Sequence, residues 1–127
     1  MQEKNFNTAV ITTDEITGAT PAAFYAHQKD RGMTQQIAAD LYKSDLTLFA
    51  GGGAKYFKKQ LPFNLVNTPE AIANAKAARI GYFMADGGVP STLNGRGEEL
   101  PKVVAHSLEF LKQKEIPFFA MIEAAQI

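Results

Sequence analysis

The sequence predicts an α/β fold, a mostly parallel sheet held between helical layers. Three observations predict it. Short β-branched or apolar runs alternate with stretches of helical period along the chain. Thr-Pro pairs at 20–21 and 68–69 mark helix starts, because threonine caps and proline needs no N–H in a first turn. The last apolar run, PFFAMIE at 117–123, is almost unbroken, as suits a strand covered on both faces.

TAVITT at 8–13 reads as the first strand, rich in β-branched residues. Thr20 then caps a helix that Gly32 ends. A second helix covers Thr34 to Lys43, with Ile37, Ala38 and Leu41 at helical spacing. LTLFA at 46–50 is a buried strand stopped by Gly51, Gly52 and Gly53, and AKYFKKQ after it is a short helix. FNLV at 63–66 is a short strand, and Thr68 and Pro69 open the helix EAIANAKAA. RIGYFM at 79–84 is the next strand. Residues 85–99, rich in glycine and turn formers, form a long loop. A last helix runs from Pro101 to Lys114 with Val104, Leu108 and Leu111 on one face. The whole reads as one α/β segment, 1–127. It stops directly after a strand, where an α/β domain commonly adds a covering helix, so the expectation is an interior piece of a larger domain.

Composition narrows the function. Hydrophobic residues make up 46% and charged residues 20%, a globular balance. The 13 basic and 13 acidic residues cancel, with no basic patch to favour nucleic acid. No apolar run approaches the ~20 residues that cross a bilayer. The absence of cysteine excludes disulfides, thiolate metal sites and cysteine nucleophiles. His27 reads as a packing residue and His106 as a solvated one.

Gly51–Gly53 read as a tight strand-to-helix turn needing positive φ, with an anion cradle as the alternative. That alternative would make the chain a small independent anion-binding module. The glycines of the 85–99 loop read as a surface excursion, with an anion-binding nest as the alternative.

Three residues at the two ends of the chain carry more chemistry. Thr20 sets a hydroxyl at a helix start beside a strand terminus. Arg31 offers a fixed fork of donors that suits a phosphate. Glu123 is a carboxylate at the end of an apolar strand, costly there unless paired, metal-bound or solvated. Singly, they are a cap, a surface charge and a strand-end acid. Ligand sites of open α/β sheets gather at the carboxyl ends of strands. If the first and last strands are neighbours, Thr20 and Glu123 meet at that edge. Hydroxyl and carboxylate oxygens are the hard ligands magnesium takes.

At these residues the sequence resembles the alkaline phosphatase family of metal-dependent phosphomonoesterases. The likeness lies in ITTDEITGATPAAFYAHQKDR (11–31), IAADLYKSDLTLFAGGG (37–53), LPKVVAHSLEFLKQKE (100–115) and PFFAMIEAAQI (117–127). Residues 54–99 match only loosely.

The resemblance implies an alkaline-phosphatase-like fold and hydrolysis of phosphate monoesters through a phosphoserine intermediate, with two zinc ions and one magnesium. It implies Thr20 and Glu123 as magnesium ligands and Arg31 as the phosphate clamp. It places the nucleophilic serine and the zinc ligands outside this chain, so the 127-residue chain alone is expected to be inactive. It implies a periplasmic or secreted protein and allows a homodimeric parent. Two positions depart from the family pattern. Gly18 stands where His or Asp is usual, and Ala124 follows the strand-end glutamate in place of glycine.

Overall fold

A computed structural model describes residues 7–18, 21, 34–57, 61–85 and 99–124. Its strands are β1 (Asn7–Glu15), β2 (Leu48–Gly52), β3 (Asn64–Val66), β4 (Ile80–Ala85) and β5 (Phe118–Glu123). Its helices are α1 (Thr34–Lys43), α2 (Pro69–Asn74) and α3 (Glu99–Gln113), with a single 3-10 turn at Ala54–Tyr56. The strands form one sheet in the order β3-β4-β2-β1-β5, and every pairing is parallel. The predicted α/β class is therefore observed.

Alternation along the strands sends neighbouring side chains to opposite faces. On one face Ala9, Ile11, Leu48 and Ala50 meet Ile72 of α2 and Val103, Phe110 and Leu111 of α3. On the other, Val10 and Phe49 meet Ile37 and Leu41 of α1. Phe49 is fully buried, and burying a side chain of that size contributes about 1.5–3 kcal/mol. Its ring lies so close over Gly81 of β4 that a Cβ there would overlap it.

Local chemistry explains the helix ends. The Thr68 hydroxyl accepts the Ala71 N–H at 3.2 Å, and Pro69 follows it, so α2 starts where the Thr-Pro pair predicts. At the end of α1 the Ser44 hydroxyl donates to the Leu41 carbonyl at 2.9 Å. Arg79 ties this corner to the sheet. Its guanidinium donates to the carbonyls of Leu46 at 2.8 Å and Ser44 at 2.6 Å, and it lies 4.2 Å from the Phe63 ring centroid.

Several boundaries differ from expectation. β2 continues through Gly51 and Gly52, because Gly51 pairs with Phe83 of β4 and Gly52 pairs with Glu15 of β1 and Ala85 of β4. Only Gly53 turns, with φ 95°, and its N–H donates to the Ala85 carbonyl at 3.0 Å. The glycine run is thus sheet backbone followed by the predicted positive-φ turn. Of the short helix expected after it, Ala54–Tyr56 form a 3-10 turn, and residues 58–60 lie outside the described residues.

The fully buried residues of α3 are Val103, Ser107, Phe110 and Leu111, a stripe rotated from the predicted Val104, Leu108, Leu111 face. β5 forms one edge of the sheet, so it is not covered throughout; Phe119 and Ile122 are exposed. His106 is half-buried on α3, with Nδ1 3.9 Å from Glu109, and is not freely solvated. Pro21 is helical and buried. The rest of the helix expected after Thr20, His27, Gly32, and the 85–99 loop from 86 to 98 lie outside the described residues.

Candidate functional site at the β1–β5 edge

β1 lies between β2 on one side and β5 on the other. The chain turns first one way from β1 and later returns to pair on its opposite side. Crevices of this kind, at carboxyl ends of strands, collect ligands in open parallel sheets. The β1–β5 register runs from Asn7 opposite Phe118 to Thr12 opposite Glu123. The condition set by the sequence, that the first and last strands be neighbours, is met.

Glu123 comes last in β5 and is half-buried. Thr12, its register partner, is fully buried and donates its hydroxyl to Glu123 Oε1 at 2.7 Å. The same hydroxyl oxygen accepts the Asp14 N–H at 2.9 Å. Asp14 Oδ1 in turn accepts the Glu15 N–H at 2.7 Å. The chain then bends: Gly18 N–H donates to the Glu15 carbonyl at 2.8 Å, and Ile16 N–H to the Gly52 carbonyl at 2.9 Å. These bonds anchor the turn leading to Pro21 against the end of β2.

Gly18 faces the Asp14 carboxylate. A Cβ at position 18 would stand 2.7 Å from Asp14 Oδ2 and 3.0 Å from the Glu15 carbonyl oxygen. A larger residue there would require Asp14 to move.

Of the sequence-predicted ligands, Glu123 is placed at this edge. Thr20 and Arg31 lie outside the described residues. Sequence reasoning missed Thr12 and Asp14. A signal was available in ITTDE, where polar residues follow directly on an apolar strand. Nothing local, however, says which partner such a threonine meets. Among the described residues, no three His, Cys, Asp or Glu side chains group as a metal site.

The arrangement holds a carboxylate at a strand end with one oxygen bonded to a buried hydroxyl. That leaves it able to offer a hard oxygen donor to a cation or a bound water.

No family model matches the chain. The structure of the alkaline phosphatase from the Antarctic bacterium TAB5 superposes with a TM-score of 0.84 at 36% identity, covering 94% of this chain and 39% of that one. The chain resembles the alkaline phosphatases in sequence and fold. Among curated relatives, alkaline phosphatase 4 of Bacillus subtilis (strain 168) is 28% identical over 144 residues, which covers 99% of this chain and 31% of that phosphatase. The chain thus spans about a third of the length of the curated alkaline phosphatases it matches. A TAB5 alkaline phosphatase variant with Mg bound in its M3 site gives a TM-score of 0.83 at 35% identity, covering 94% of this chain and 38% of that one.

Proposed function

We propose that this chain contributes the magnesium and phosphate ligands of an alkaline phosphatase that hydrolyses phosphate monoesters through a phosphoserine intermediate. The observation that carries the reading is the β1–β5 pairing, which sets Glu123 of β5 beside the carboxyl end of β1, the strand that leads to Thr20. The likeness to alkaline phosphatases supports it.

The residues fit the ion. Glu123 presents a carboxylate whose Oε1 is already oriented by Thr12, and a carboxylate with a threonine hydroxyl is a hard-oxygen set. In this reading Glu123 and Thr20 would hold magnesium, which would supply positive charge and ordered water beside the reacting phosphate. Arg31 binds two non-bridging phosphate oxygens through its planar fork and keeps the group in line for attack. The serine nucleophile and the ligands of two zinc ions belong to segments outside this chain. The same reading includes export to the periplasm or the medium and allows a homodimeric parent. No helix among the described residues is long and apolar enough to cross a membrane.

The test compares the intact protein with the 127-residue chain, using p-nitrophenyl phosphate with zinc and magnesium present. The intact protein should turn over and the chain alone should not. Zinc-dependent turnover by the chain alone would overturn the division of labour. An intact protein inert towards phosphate monoesters would overturn the phosphatase reading itself.

The alternative of an independent anion-binding module loses its footing at the glycines. Gly51 and Gly52 are ladder residues, and the Gly53 N–H is taken by Ala85.

A further inference from the structure

We infer that Thr12 is a positioning residue for Glu123, setting the direction in which that carboxylate presents its free oxygen to a divalent cation. The inference rests on the magnesium reading above and adds a residue that the sequence reading had not singled out.

The geometry is specific. A threonine hydroxyl has one proton and two lone pairs. The Asp14 N–H occupies one lone pair of Thr12 Oγ1 at 2.9 Å. An ionised carboxylate can only accept, so the Thr12 proton must point at Glu123 Oε1, 2.7 Å away. A backbone donor from beyond the end of the ladder thereby fixes a side-chain hydroxyl, and the hydroxyl fixes the carboxylate.

Thr12 is well suited to hold still. It is fully buried, β-branched and in register with Glu123 on a parallel pair. Among the described residues β5 is an edge strand, and the Glu123 side chain is half-exposed at its end. Without the Thr12 bond the carboxylate would be free to sample other rotamers and turn towards solvent. Groups that orient a metal ligand in this way commonly change metal affinity 10–100-fold when removed.

The experiment measures Mg²⁺ affinity of the intact protein by calorimetric titration, with Mg²⁺ alone as the probe. Thr12→Val keeps the branched shape and removes the hydroxyl, and its Mg²⁺ affinity should fall by ~10-fold or more. Thr12→Ser keeps the hydroxyl and should bind close to wild type. Thr12→Ala differs from the serine variant by that oxygen alone and should bind like the valine variant. The serine–alanine pair carries the test if the valine variant does not fold. Glu123→Gln is the control for the magnesium reading and should lose most of the affinity. If Glu123→Gln weakens binding while Thr12→Val binds as wild type, or the serine and alanine variants bind alike, the role of Thr12 is refuted and the magnesium reading stands. If Glu123→Gln itself binds Mg²⁺ unchanged, the magnesium reading fails and this inference falls with it.

Discussion

The Tyr82 phenol, in the middle of β4, donates to Glu99 Oε2 in the first turn of α3 at 2.6 Å. Burial, then the bond to Glu99 and its negative charge, push the Tyr82 phenol well above its ordinary range. The folded state therefore keeps this proton at a pH where the unfolded chain, titrating near about 10, has lost it. The stability the bond contributes is complete below that pH and is lost as pH rises above it, at up to ~1.4 kcal/mol per pH unit. Urea unfolding between pH 8 and pH 11 should show this alkaline loss in the wild type and a flatter limb in Tyr82→Phe.

Arg79 bonds two carbonyls and stacks on Phe63 at the opening of β4. Replacing it with leucine strands two acceptors and removes the stacked cation. Stability should fall by ~2–3 kcal/mol. Lysine should restore only part, because a point charge cannot reproduce the planar fork. Chemical denaturation of the three proteins measures the difference.

Phe49 and Gly81 are register partners on β2 and β4, and the ring fills the space a side chain at 81 would need. Gly81→Ala should destabilise by ~1–3 kcal/mol through overpacking. Adding Phe49→Leu should recover part of that loss, so the two changes are non-additive in a double-mutant cycle. Additive effects would show that the ring yields without cost.

Glu115 closes the turn between α3 and β5 with φ 58°, and its N–H donates to the Lys112 carbonyl at 3.2 Å. Glycine adopts this left-handed conformation without the Cβ penalty, although it loses more entropy on folding. Glu115→Gly should therefore gain ~0.5 kcal/mol net, seen as a small rise in melting temperature.

Arg31 is the proposed phosphate clamp, and its removal should act on the anion rather than on folding. In the intact protein Arg31→Ala should weaken inhibition by inorganic phosphate by ~1.5–3 kcal/mol. An unchanged inhibition constant would remove Arg31 from the site.

By itself the sequence determined the kinds of element and much of their extent. The spacing of Ile37, Ala38 and Leu41 named the buried face of α1, and Thr68 with Pro69 named the start of α2. It also marked Glu123 as an acid out of place at a strand end. These signals are local: periodicity and capping depend on residues a few positions apart.

Tertiary structure decided the strand order, the edge position of β5 and the continuation of β2 through its glycines. It decided the partner of Glu123 as well, since Thr12 lies 111 residues away in the chain. No period in the sequence encodes such a pairing. It arises when burying the two faces of the sheet under α1 on one side and α2 with α3 on the other brings β1 and β5 into register.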